Sequence, residues 1–261
     1  MTETLYARVQ AALSSLQLTT MVQHLDDLTQ QAAARNWSAL DYLDQLAHLE
    51  VCARFERDVQ RKMRQARLPF FKTLDQFDFA FQPSVNERQI RDLVGLRFIA
   101  TTDNVLFLGP PGVGKTHLAV SLGMAALSSG LSVLFYSVAD LLDQLAQDAR
   151  ADRLARRMTA LCRPQLLILD EMGYFSLDKR AAQFLFQLIS RRYQRGSIIL
   201  TSNKSYNEWG AIFPDHVLAG AILDRLLHHA VTVNIRGNSY RLKDKLRPAA
   251  PSDAPSKTKE N

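Results

Sequence analysis

Eight residues, GPPGVGKT from Gly109 to Thr116, constrain the fold of this chain more than any others. An apolar run, VLFL at 105–108, leads into them, and a helical stretch, HLAVSLGMAAL, leads out. Two spaced glycines followed by Lys and Thr between a strand and a helix make the phosphate-binding loop pattern. The glycines let consecutive backbone N–H groups turn inward around a phosphate, and the helix start adds its partial positive charge. Lys115 can reach the β and γ phosphates, and the Thr116 hydroxyl can ligate Mg²⁺. Alone, such a loop could be an ordinary glycine-rich turn.

A second motif removes that alternative. LLILDE, Leu166 to Glu171, is an apolar strand that ends in two acids and delivers them to the carboxyl edge of a sheet, where ligands of open α/β folds bind. Asp170 would hold Mg²⁺, directly or through water, and Glu171 is placed to polarise an attacking water. Further apolar runs, VLFYS at 133–137, IILTS at 198–202 and VTVNI at 231–235, alternate with helical stretches. Continuous apolar runs with helices between them predict a parallel sheet covered on both faces.

Upstream, residues 1–69 read as a small all-α domain. Leu5, Val9, Ala12, Leu13 and Leu16 recur at helical spacing, as do Met21, Leu25 and Leu28. Ser38 can cap a third helix that runs on through RFERDVQRKMRQAR to Leu68-Pro69. Residues 70–85 read as a linker, with Phe77, Phe79 and Phe81 alternating at strand-like spacing; they could border a nucleotide base or stack on bases, although core packing is the plainer role. Pro83-Ser84 precede one helical segment, VNERQIRDLVGLRFI. The α/β domain then occupies 86–247, and the polar tail 248–261 is expected to be disordered.

The pair GPPGVGKT and LLILDEMGY, with LTSN behind them, resembles the AAA+ ATPases. Within that group the chain is most similar to the IstB-like proteins, ATPase partners of insertion-sequence transposases; the phrases LRFIATTDNVLFLGPPGVGKTHLA and ILDEMGYFSLDK carry that narrower likeness. The resemblance implies a P-loop NTPase core with a five-stranded parallel sheet in the order 5-1-4-3-2. It implies that Gly109, Pro110, Pro111, Gly112, Val113, Gly114, Lys115, Thr116 and His117 surround the nucleotide phosphates. Asn203 matches the first sensor, and Arg225 an arginine finger that acts in a neighbouring subunit. Arg241 could be a second sensor acting in cis, although proteins of this branch tend to lack the full helical lid that normally carries it.

The formal net charge is +6, but residues 1–50 carry six acids against Arg8 and Arg35, so the rest of the chain holds the positive excess. Helical spacing sets Arg54, Arg57, Arg61 and Arg64 on one face, with Lys62 and Arg67 close by; further clusters are Arg150, Arg153, Arg156 and Arg157, and Arg191, Arg192 and Arg195. Any one cluster suits a solvated helix face. With the resemblance, they imply a largely sequence-independent surface for duplex DNA. Two cysteines, no apolar run of membrane length and no signal-peptide pattern predict a cytoplasmic protein. The function implied is that of an ATPase that binds ATP and Mg²⁺, self-assembles on duplex DNA and stimulates a partner transposase. The rival is a helicase-loading adaptor of the DnaC type.

Overall fold

A computed structural model describes residues 4–243, and the chain divides into two compact units between Gln65 and Ala66. The smaller unit holds three helices: α1 (Leu5–Ser15), α2 (Thr19–Arg35) and α3 (Ala39–Gln65). Leu25, Leu28 and Leu46 form its buried centre, with Leu13, Met21, Trp37, Tyr42 and Leu49 packed around them. Ser38 starts α3 as expected. Its Oγ accepts from Asp41 N, while the Asp41 carboxylate accepts from Ser38 N, so two orphan donors are satisfied reciprocally. The start of α2 has no capping side chain of its own. Glu50, buried on α3, supplies one: its Oε2 accepts from Thr20 N at 2.8 Å and Met21 N at 3.2 Å.

The larger unit begins with α4 (Glu87–Val94) and α5 (Arg97–Ala100), then β1 (Asn104–Leu108), α6 (Lys115–Ser128), β2 (Val133–Ser137), α7 (Val138–Arg150) and α8 (Leu154–Cys162). It continues with β3 (Leu166–Met172), α9 (Lys179–Arg192), β4 (Ser197–Ser202), α10 (His216–Leu227) and β5 (Ala230–Asn234). All strands are parallel, in the order β2-β3-β4-β1-β5, which is the expected 5-1-4-3-2 seen from the other edge. Leu106, Leu108, Leu167, Leu169, Ile198 and Leu200 turn one way, into a core completed by α7, α8, α9 and α10. By the pleat, Val105, Phe107, Ile168 and Ile199 turn the other way. A Cβ on Gly123 of α6 would come within 2.8 Å of Ile168, so α6 lies close against that second face.

Four expectations need correction. The segment VNERQIRDLVGLRFI is two helices, not one, because Leu96 takes a left-handed conformation (φ 59°) between α4 and α5. Residues 70–83 hold no strand: Thr73 and Gln76 form a capping box around a turn of 3-10 helix at Leu74–Gln76, and the chain then turns again. Residues 70–85, expected as a linker, and 66–69, expected in the helical domain, are built into the larger unit, where Ala66, Phe77, Gln82 and Val85 are buried. Arg192, grouped among surface cations, is also buried and donates to the carbonyls of Leu161, Pro164, Gln165 and Ser197. Residues 248–261 lie outside the described residues. Among those described, no helix is long and apolar enough to cross a membrane, and no cluster of His, Cys, Asp or Glu could hold a metal by itself.

Candidate functional site

The loop from Gly109 to Gly114 joins the end of β1 to the start of α6. Three of its glycines have positive φ: Gly109 at 150°, Gly112 at 80° and Gly114 at 97°. Space reinforces the conformation. A Cβ on Gly112 would lie 2.0 Å from Ser239 Oγ, and one on Gly114 would lie 2.6 Å from the Phe77 ring. Neither position can carry a side chain without moving a neighbour, so the loop is a bare-backbone cradle. Lys115 follows as the first residue of α6; its Nζ donates to the Gly109 and Pro110 carbonyls, both at 2.7 Å. Burial lowers the Lys115 ammonium to about 8, against the attraction of Asp170 and Glu171 and with the repulsion of Arg241.

Thr116, one residue on, faces β3. Its hydroxyl lies 3.0 Å from both Asp170 oxygens. Thr201 of β4 donates to Asp170 Oδ1 at 2.5 Å, and its Oγ1 accepts from Glu171 N at 3.0 Å. Burial raises the Asp170 carboxyl, opposed by the bonds from Thr201 and Thr116 and by the Lys115 charge. Adjacent strand residues ordinarily face opposite sides of a sheet. Here the β3–β4 register shifts between Leu169 and Met172, and Glu171 is left-handed (φ 65°). The bulge brings Asp170 and Glu171 onto one cavity of about 1010 Å³, which Gly112, Val113, Gly114, Lys115, Thr116 and His117 also line. A hydroxyl and a carboxylate are hard oxygen donors, the set that suits Mg²⁺.

The cavity walls come from both sides of the loop in sequence. His117 Nε2 donates to the Thr73 carbonyl, which ties the upstream segment to α6, and burial lowers its imidazole. Phe77 packs edge-on to His117 and lines the cavity. Downstream of β5, Tyr240 N donates to the Gly112 carbonyl, and both Tyr240 and Arg241 line the cavity.

The remaining candidates divide. Asn203 follows β4 but does not line the cavity; its Oδ1 is buried with no hydrogen-bond partner among the described residues. Arg225 on α10 is also outside the cavity. It donates to the Ala221 carbonyl and sits 4.9 Å from the centre of the Phe186 ring. Arg67 is in the cavity wall, where it donates to the Tyr136 hydroxyl at 2.7 Å. Arg54 and Arg57 both pair with Glu50, and Arg61 and Lys62 both pair with Asp58. Arg153 and Arg157 pair with Asp148. Thr201 was legible only as one apolar-strand residue, and nothing in the spacing pointed to Gln82 or Tyr240; all three line the cavity.

A phosphate loop between strand and helix, paired acids on an inner strand and this sheet order define a P-loop protein of the AAA+ class. The chain belongs to the family of IstB-like ATP binding proteins, whose model matches residues 11–248. It is 45% identical over 237 residues to a protein named for ATP binding in insertion sequence IS21 of Pseudomonas aeruginosa, covering 91% of this chain and 89% of that one. It is 44% identical over 238 residues to the corresponding protein of IS5376 from Geobacillus stearothermophilus, covering 91% and 95%. Among solved structures it resembles DnaI, with a TM-score of 0.55 at 18% identity over 63% of this chain and 91% of that one. It also resembles AMPPCP-bound DnaA from Aquifex aeolicus, at 0.53 and 22% over 69% and 56%. These last two likenesses are of fold.

Proposed function

We propose that the chain is a Mg²⁺-dependent ATPase that assembles with ATP on duplex DNA and acts with a transposase in insertion-sequence transposition. The observation that carries the chemistry is the meeting of Lys115, Thr116, Asp170 and Glu171 on one cavity beside a loop whose Gly112 and Gly114 have no room for a side chain. The partner reading rests on the family and on relatives named for insertion sequences, and these favour transposition over helicase loading.

In this reading the loop amides and Lys115 hold the triphosphate, while Thr116 and Asp170 hold Mg²⁺. The metal supplies charge neutralisation on the phosphate oxygens. Asp170 suits that role because its buried carboxylate is oriented by Thr201. Glu171 is exposed on the cavity and orients the attacking water. Arg241 meets the phosphates from the same chain. Arg225, outside its own cavity and with no carboxylate paired to it among the described residues, acts in a neighbouring subunit. Asn203 lies off the cavity, so its sensor role requires its side chain to turn toward the nucleotide. On α3, Arg54 and Arg57 pair with Glu50, and Arg61 and Lys62 pair with Asp58, which makes the exposed Arg64 that helix's first candidate for the DNA backbone.

The test is sizing of Glu171→Gln on a short duplex with and without ATP. The variant should bind ATP, fail to hydrolyse it and hold an ATP-dependent oligomer on DNA longer than the parent does. ATP binding with no assembly on duplex would refute the DNA part of the reading; loss of ATP binding by Lys115→Ala with no loss of assembly would refute the nucleotide part.

A further inference from the structure

Gln82 is 2% exposed and lines the cavity beside Phe77, Asp78 and Tyr240. Its amide orientation follows from its surroundings: Nε2 donates to the Asn238 carbonyl at 2.8 Å, and the flipped amide would set two oxygens against each other. Oε1 is therefore the free end. It is buried and has no hydrogen-bond partner among the described residues. An acceptor shut from water without a donor is penalised by the loss of its hydration, so a buried polar atom of this kind calls for a partner.

The segment covering Gln82 is the one that borders the phosphate loop. Gly237 sits over Oε1: a Cβ there would lie 2.9 Å from it, and φ at Gly237 is 140°. From Gly237 the chain runs to Ser239 and Tyr240, which touch Gly112, and to Lys243, which pairs with Asp78. Loop amides hold the α and β phosphates, whereas Lys115 and Thr116 serve the β and γ end. Phe77 against Gly114 and Tyr240 against Gly112, with Gln82 in the same cavity wall, therefore stand at the base end of a bound nucleotide.

We infer that Gln82 reads the base: its Oε1 accepts a hydrogen bond from a purine 6-amine and disfavours a purine that carries a 6-oxo group. The inference rests on the nucleotide reading above. Adenine presents a donor at that position, and hypoxanthine presents an acceptor that would face a second acceptor across a dry wall. The contact requires Gly237, which covers Oε1 with backbone alone, to move outward as the base enters. A site built to meet an N–H rejects the analogue that lacks it, since the buried group is then left unpaired.

The experiment is calorimetric titration of the full chain with ADP and with IDP, so that hydrolysis plays no part. The parent should bind ADP about tenfold more tightly than IDP. Gln82→Met, similar in size but without the amide, should bring the ratio near one. Equal binding of the two diphosphates by the parent would overturn the inference. So would a Gln82→Met variant that weakens both ligands alike with the ratio intact. Failure of the parent to bind either diphosphate would overturn the nucleotide reading itself.

Discussion

Glu50 and its two arginines make an asymmetric prediction. Glu50 is almost fully buried, while the Arg54 and Arg57 side chains are 53% and 54% exposed. Replacing Glu50 by Gln strands no charge, because both arginines can turn into water and the amide oxygen can still accept from the start of α2. That change should cost about 1 kcal/mol. Replacing both arginines by Met leaves the carboxylate buried with only the Thr20 and Met21 amides for company. Removing one side of a buried pair costs about 3–5 kcal/mol. A unit of this size is expected to have roughly 3–10 kcal/mol of stability in all, so the double variant should lose a large part of it.

The pH dependence should also change sign. In the parent, burial would raise the Glu50 carboxyl, but the bonds from Arg54, Met21 and Thr20 outweigh it and lower it from 4.5 to about 2. That contribution is fully present above the unfolded value of 4.5 and is lost as pH falls through 2. Without the arginines, burial dominates and the carboxyl rises above 4.5, so stability should increase as pH falls from 7. The assay is urea unfolding followed by helical circular dichroism between pH 4 and 7. A double variant that loses less than about 1 kcal/mol at pH 7 would refute the reasoning. So would one whose stability falls with pH as the parent's does.

Two other consequences can be measured directly. Because Lys115 is lowered to about 8, it is about half neutral at pH 8, and a bound phosphate should restore its proton. ADP binding at pH 8 should then take up about half a proton and at pH 6.5 almost none, which calorimetry in two buffers of different ionisation enthalpy reads; equal uptake at both values would exclude the lysine as the source. Arg192→Met removes a hydrogen bond from four carbonyls, of which Gln165's still accepts from Ser197 N, and should cost about 3 kcal/mol, lowering the melting temperature by roughly 6–12 °C. A drop under about 3 °C would mean those carbonyls find other donors.

The strands were legible because a sheet buried on both faces needs unbroken apolar runs, and the acids were legible because they end one of them. What escaped depended on meetings far apart in the chain. Arg192 looks like any cation in RRYQR until the carbonyls in and just after the last turn of α8 and at the start of β4 converge on it. Gln82 gains its meaning from Asn238 and Gly237, more than 150 positions away. Other signals are local. Glu50 stands four residues before Arg54 and seven before Arg57, which places all three on one face of a helix. Thr73 and Gln76 spell a capping box, which outranks the alternation of Phe77, Phe79 and Phe81.

The strand order also sets a timetable for synthesis. β2 and β3 can pair as soon as both are made, but β1, which carries the phosphate loop, pairs only with β4 and β5. At a synthesis rate of about 5–20 residues per second, Tyr240 follows Lys115 by roughly 6–25 seconds. Until β4 is made the loop's glycines have no flanking strand, and to the end of that interval they lack the Ser239–Tyr240 contacts on Gly112. A chain stopped before Ser197 would contain the whole loop motif and no neighbouring strand to hold it. The phosphate cradle is thus among the last parts of the nascent protein to acquire its shape, although its sequence is complete before the chain is half made.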